Sequence, residues 1–256
     1  MPEGDAVRRT ARRLDDALSG AVLERAELRV PRYATVDLRG MRVLGTCAVG
    51  KHLLTRLADD ERAWTLHSHL RLDGAWRTGP VGPPGGPAHL IRVWLATAQR
   101  QAVGVRVHDV AVAPTTDEHV WIGHLGPDIM ADGFDAAGAV ARLRVDDRGL
   151  VAALLDQRLL CGLGTMWAAE LAATIGVDPY QPVAEVEADL LAAGLTRIRR
   201  RMLRSLGTPA WQQRRELLVF ERTGEGCRTC RTPIRTGRVG EPPTDRPTYW
   251  CPACQQ

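Results

Sequence analysis

The sequence predicts an α+β fold: an N-terminal helix with an antiparallel β-sandwich, then a helical domain, then a small C-terminal hairpin that binds zinc. Three observations carry this. Apolar residues recur at helical spacing only at the front and in the middle of the chain. Short alternating runs separated by turn residues fill most of positions 20–112. Four cysteines in two CxxC pairs close the sequence.

In chain order, Val7, Ala11, Leu14 and Leu18 mark a helix from Asp5 that stops at Gly20. Strands are expected at Glu24–Val30, Leu53–Leu57, Ala63–Leu66, Leu90–Leu95 and Val103–Val112. The stretch from Gly79 to Pro87 reads as loop throughout. Trp64, Trp76 and Trp94 are expected in the sandwich core, and Cys47 and Cys161 as small buried hydrophobes. His67 and His69 share one strand face without a third ligand of matching spacing, and read as packed or loop histidines.

Beyond Pro114 the pattern turns helical. Helices are expected over Ala136–Arg144, Val151–Leu160 and Met166–Ile175, the last two joined by a tight Gly-containing break. A longer helix runs from Ala184 to Leu206, interrupted at Gly194, with acids early and arginines late, as the macrodipole favours. The domains are placed at 1–114, 136–216 and 217–256, with a linker over 115–135.

Cys227, Cys230, Cys251 and Cys254 have the spacing of a structural zinc site. Thirty residues bury too little apolar area to fold alone, so the metal supplies much of the folding energy. Two disulfides are the alternative, disfavoured by a cytoplasmic setting. That setting is expected because the acidic start lacks the apolar core of a signal peptide and no apolar run reaches membrane length.

Charge points to a partner. The 34 basic residues include a single lysine, Lys51. Residues 197–256 hold 13 arginines against five acids, or +8, which leaves −4 for the rest of a chain of net +4. Abundant arginine alone does not explain such clustering, whereas a polyanionic partner does.

Pro2 follows the initiator Met1, whose removal would leave a secondary amine at the head of a helix. The dipole there favours the neutral, nucleophilic form. Such an amine attacks carbon at the aldehyde oxidation level and yields an iminium, with Glu3 adjacent as proton donor. Many chains begin Met-Pro, so this alone decides nothing.

Four segments in order change that: Met1-Pro2-Glu3-Gly4-Asp5, Val49-Gly50-Lys51-His52-Leu53-Leu54, Leu155-Asp156-Gln157 with Gly162-Leu163-Gly164, and the Cys₄ tail. With Gly126-Pro127-Asp128 and Tyr249-Trp250-Cys251-Pro252, the chain resembles the formamidopyrimidine-DNA glycosylase/endonuclease VIII family over its whole length, and the endonuclease VIII branch most. The resemblance implies a helix-two-turn-helix in the middle domain and a bifunctional DNA glycosylase and AP lyase of base-excision repair. Its partner is double-stranded DNA carrying damaged bases or abasic sites, and the protein is expected to be monomeric.

By the same resemblance Pro2 is the nucleophile at C1′ of a flipped nucleotide and Glu3 the proton donor in sugar-ring opening. Lys51 assists β-elimination. Arg246 holds the phosphate beside the lesion and is assigned to δ-elimination, although a guanidinium clamps phosphate better than it gives up protons. Arg71, Leu72 and Asp73 match the loop that fills the emptied stack, with Leu72 as the apolar wedge and Asp73 an odd choice there. Three positions depart from the family pattern: Thr165 replaces a phosphate-binding Asn, Ala6 a second acid, and His124 a phosphate-contacting Arg. The short segment Gly207–Arg215 suits oxidised pyrimidines over purines, because the purine branch carries a longer capping loop. A damaged-DNA binder that has lost turnover is the alternative; a zinc-ribbon transcription factor leaves residues 1–112 unexplained.

Overall fold

The computed structural model describes residues 2–208 and 210–256, so Met1, and with it the expected Met removal, lies outside the described residues, as does Pro209 of the Gly207–Arg215 segment. The chain forms two compact units, Met1–His124 and Leu125–Gln256.

In the first unit α1 (Gly4–Leu18) presents Val7, Ala11, Leu14 and Leu18 to the core, the predicted helical stripe. Eight strands follow: β1 (Arg25–Leu28), β2 (Arg42–Val49), β3 (His52–Ala58), β4 (Ala63–His69), β5 (Ala75–Pro80), β6 (Ile91–Ala96), β7 (Arg100–Val105) and β8 (Asp109–Pro114). They pair antiparallel in two sheets ordered β1-β6-β7-β5 and β2-β3-β4-β8. Leu28, Trp76, Val93 and Leu95 from one sheet and Val43, Leu53, Leu57 and Leu66 from the other share the buried core with α1.

Four expectations need correction here. The run Val103–Val112 is two strands in different sheets: the chain leaves β7, passes Arg106 at φ +52°, and enters β8. Both halves are apolar and alternating, so periodicity could not show the change of sheet. Strands β2 and β5 went unrecognised, and Gly79 and Pro80 belong to β5, opposite Gln101 and Arg100. Proline is tolerated at such a strand end because little pairing is lost there. Of the three tryptophans, Trp76 is buried in the core and Trp64 packs partly against it. Trp94 instead joins a small outer cluster with Ile91, Val103 and Val105, and its ring lies 4.0 Å beneath the Arg25 guanidinium. Fourth, residues 115–135 are structured: Glu118 leads into a single-turn helix, α2 (His119–Ile122), within the first unit, and Ile129 and Met130 lie in the core of the second.

The second unit holds α3 (Ala136–Leu143), α4 (Leu150–Leu155), α5 (Thr165–Ile175), α6 (Ala188–Ser205), α7 (Ala210–Arg215) and a hairpin of β9 (Arg235–Val239) and β10 (Arg246–Trp250). Helix α4 ends five residues before the expected Leu160, where Asp156 takes extended backbone and its carboxylate accepts the Arg158 amide at 3.0 Å. Helix α6 runs without interruption through Gly194. A β-carbon there would come within 2.6 Å of Ile175 Cγ2, so this glycine permits close approach of α5 and α6 and does not break the helix.

Candidate active site

In the first unit α1 and β2 run antiparallel. Gly20 N donates to Val43 O at 2.8 Å, and Thr46 N donates to the Asp15 carboxylate at 2.8 Å. From Asp15 back to Glu3 the helix rises about 18 Å; from Thr46 on to Lys51 the strand advances about 16 Å. The head of α1 and the β2–β3 turn therefore reach the same end of the unit. Glu3 is 4% exposed and Lys51 9% exposed, and ionisable side chains are seldom so buried. Glu3 occupies the N-cap position of α1 without a side-chain capping bond to the helix, and Pro2, immediately before it, is half-buried. Gly50, at φ +57°, makes the turn that presents Lys51.

Sheet register gathers further groups at the same end. His52 pairs with His69, and His69 with Asp109, so three strands start or finish in one row beside Lys51. Arg71 follows in left-handed backbone at φ +51°; its amide donates to His69 Nδ1 at 3.1 Å and its guanidinium pairs with the Asp109 carboxylate. Leu72, at the loop tip, is 74% exposed. Asp73 faces Arg106 at 3.8 Å and His108 at 3.4 Å, which gives this acid local partners.

His67 and His69 are packed histidines, as expected, and a third histidine, His52, packs against both. His52 Nδ1 lies 2.8 Å from His67 Nε2, and the His52 ring is 5.2 Å from His69 and 6.3 Å from His124. Trp121 of α2 stacks on His67 at 4.9 Å. Glu118 fastens that helix to the sheet, accepting two Arg56 bonds at 2.7 Å, which hold its carboxyl below the usual range. Burial, then the charge of neighbouring histidines, pushes His52 down to about 3 and His67 to about 4; burial also lowers His69. The His52 and His67 rings are therefore uncharged at neutral pH. Sequence spacing missed His52 because its tie to His69 depends on the β3–β4 register. The one available signal was the Asp59–Arg62 turn, where Asp59 Oδ1 accepts the Arg62 amide at 2.7 Å.

In the second unit, Gln157 clamps the α4–α5 turn. Its amide donates to Leu155 O and Leu163 O, and its carbonyl accepts from Gly162 N, each at 3.0 Å. Asp156 holds Arg158 at 2.7 Å and Arg148 at 2.9 Å. Gly126-Pro127-Asp128 packs onto this turn: Cys161 N donates to Pro127 O at 3.0 Å, and a β-carbon on Gly126 would strike the Leu159 backbone at 2.5 Å. Two sequence motifs thus form one structure. Thr165 is buried in the first turn of α5.

The sulfurs of Cys227, Cys230, Cys251 and Cys254 all lie within 4.8 Å of one another, with Cys230 3.4 Å from Cys251 and from Cys254. No disulfide joins any two of the four. Four sulfurs at about 2.3 Å from a central ion would stand roughly 3.8 Å apart, so the cluster fits a tetrahedral metal. Arg246 opens β10 and is exposed, its guanidinium donating to Thr244 O at 2.8 Å. Glu170, absent from any sequence expectation, is fully buried on α5 and accepts the backbone amides of Leu218, Val219 and Phe220.

Among the described residues no helix is long and apolar enough to cross a membrane. The two units define an α+β protein with a helix-capped antiparallel sandwich in one and a clamped helix turn with a four-thiolate hairpin in the other. Residues 1–113 match the model of the formamidopyrimidine-DNA glycosylase N-terminal domain. The chain is 46% identical over 263 residues to a probable endonuclease 8 2 of Streptomyces coelicolor, covering all of this chain and 94% of that one. It is 39% identical to the DNA-(apurinic or apyrimidinic site) lyase Nei2 of Mycolicibacterium smegmatis, covering 100% and 99%. The fold matches that of Lactococcus lactis formamidopyrimidine-DNA glycosylase bound to DNA with an abasic site, at a TM-score of 0.85 and 23% identity over the full length of both. This chain belongs to the formamidopyrimidine-DNA glycosylase/endonuclease VIII family and is closest in character to its endonuclease VIII branch.

Proposed function

We propose that this base-excision repair DNA glycosylase and AP lyase removes oxidised pyrimidines and cuts the abasic strand by β,δ-elimination through a Schiff base on Pro2. The observation that carries the reading is the burial of Glu3 and Lys51 at the end of the first unit where the chain begins. With Met1 removed, the Pro2 nitrogen attacks C1′ and the bond from C1′ to the base breaks, the base leaving with the electron pair. Glu3 gives a proton to the ring oxygen as the sugar opens, and the resulting iminium withdraws electrons from C2′. Loss of a C2′ proton then expels the 3′ phosphate, with Lys51 assisting. Arg246 clamps phosphate and serves the second elimination.

Leu72 fills the space left by the flipped nucleotide, with Arg71 and Asp73 beside it, and His124 and Thr165 contact the backbone. Residues 136–216 form the helix-two-turn-helix domain and 217–256 the zinc finger. Zn²⁺ held by Cys227, Cys230, Cys251 and Cys254 supplies folding energy and takes no part in the chemistry. Reduced thiols suit a bacterial cytoplasm.

Borohydride trapping on a duplex with an abasic site tests the reading. A covalent adduct supports it; binding without an adduct, in protein shown by mass to start at Pro2, makes the chain a damaged-DNA binder. Thymine glycol, 5-hydroxycytosine, dihydrouracil and 8-oxoguanine duplexes then decide the substrate, with the first three expected to be cut fastest.

A further inference from the structure

Resting on the reading of Lys51 as the group that assists elimination, we propose that His52 is the positioning residue for that lysine, and that it acts through its hydrogen bond to His67. His52 Nδ1 and His67 Nε2 stand 2.8 Å apart, so one nitrogen carries the shared proton and the other accepts it. The two residues are diagonal neighbours in the β3–β4 ladder, where His52 faces His69 and Leu54 faces His67. The bond therefore crosses the strands at an angle and fixes both rings.

A lysine ammonium sits on a flexible four-carbon stem, so a lysine that serves a reaction needs its surroundings to hold it. Lys51 is buried between the left-handed Gly50 and the first residue of β3, which is His52. From His52 a row of rings runs in both directions. On one side His67 carries Trp121 flat against it, with 13° between the planes, and α2 is itself fastened to the sheet by Glu118 and Arg56. On the other side His52 meets His69 edge-on at 5.2 Å, and the Arg71 amide pins His69 through its Nδ1. His69 is lowered by burial and then by the charges of Arg71 and Lys51, which puts the ammonium within electrostatic reach of its ring. His52 is thus the link between the Trp121–His67 stack and the ring beside the lysine, and it is also the lysine's neighbour in the chain.

Single-turnover cleavage of a preformed abasic-site duplex by the full-length protein tests the proposal. His52→Leu fills the space but makes no bond, and should slow cleavage roughly tenfold or more, the scale on which a slightly misplaced group acts. Its Kd for a duplex with tetrahydrofuran in place of the abasic sugar should stay within about twofold of wild type, since no DNA contact is assigned to His52. His52→Asn, whose amide stands where Nδ1 stands, should recover most of the rate. In a Lys51→Gln background His52→Leu should add no further slowing, because residues that act through one another are not additive. A full further slowing there would overturn the proposal, placing the effect of His52 in the fold at large. So would a folded His52→Leu that cleaves at the wild-type rate, or a His52→Asn as slow as His52→Leu. Lys51→Gln cleaving as fast as wild type would instead remove the lysine from the reaction, and this role with it. In isotope-labelled wild-type protein, NMR should show a coupling between the two ring nitrogens across the hydrogen bond. Absence of that coupling would overturn the proposal even where a variant does not fold.

Discussion

The Glu170 carboxylate reaches from α5 to the backbone of Leu218, with both oxygens 2.9 Å from that amide. It also accepts from Val219 at 2.9 Å and Phe220 at 3.2 Å, and pairs with Arg201 at 3.0 Å. One fully buried acid thus ties the helix after the α4–α5 turn to the segment that enters the cysteine hairpin. Glu170→Ala leaves three amides and a mostly buried guanidinium without their acceptor, a loss of about 3–5 kcal/mol. Urea unfolding should show it, and a loss under 1 kcal/mol would mean the contact is incidental.

The cysteine hairpin has a small core of its own, with Val219, Ile234 and Cys251 packed on Ala169. Cys230→Ser, or prolonged chelation, should therefore disorder the hairpin and leave the first unit folded. With 13 arginines in residues 197–256, DNA binding should weaken for every sequence and its salt dependence should become shallower. An unchanged salt slope would remove the hairpin from the DNA-binding surface.

The depressed histidines predict acid sensitivity of a particular sign. In the unfolded chain their rings take protons below about pH 6.5, whereas the folded protein keeps them neutral well below that. Protons then favour the unfolded state, so stability is complete above pH 6.5 and falls toward the folded values of about 4 for His67 and 3 for His52. The slope is about 1 kcal/mol per pH unit for each ring. Urea midpoints between pH 7 and pH 5 measure it, and the double variant His52→Asn/His67→Gln should flatten the curve. An equal slope in wild type and variant would place the acid sensitivity elsewhere.

Much of this molecule can be read directly from its sequence, and the unread parts share a cause. Helix α1, the strands β3 and β4, α5 and the cysteine ligands follow from local spacing. What escaped depends on distant pairing: the change of sheet at Arg106, the strand nature of Gly79 and Pro80, and the meeting of His52 with His67. Gly194 shows the same limit. A helix-breaking residue by propensity, it is a contact residue once Ile175 lies against it. Glu170 is one acid among 30 in the sequence, and only the fold shows that three amides converge on it. Pro2, Glu3 and Lys51 stand out as candidates through the order of motifs along the chain, which resembles the family's; Met-Pro with an acid beside it decides nothing alone.

The most direct test is the attachment point of the trapped intermediate. Mature protein is reduced with borohydride on abasic DNA, digested, and the modified peptide identified by mass spectrometry. The sugar remnant should be on the nitrogen of Pro2, and Pro2→Gly should keep DNA affinity while base release slows by at least a hundredfold, the order of a lost catalytic group. A remnant on Lys51, the one side-chain amine in the sequence, or full activity in Pro2→Gly, would contradict the account.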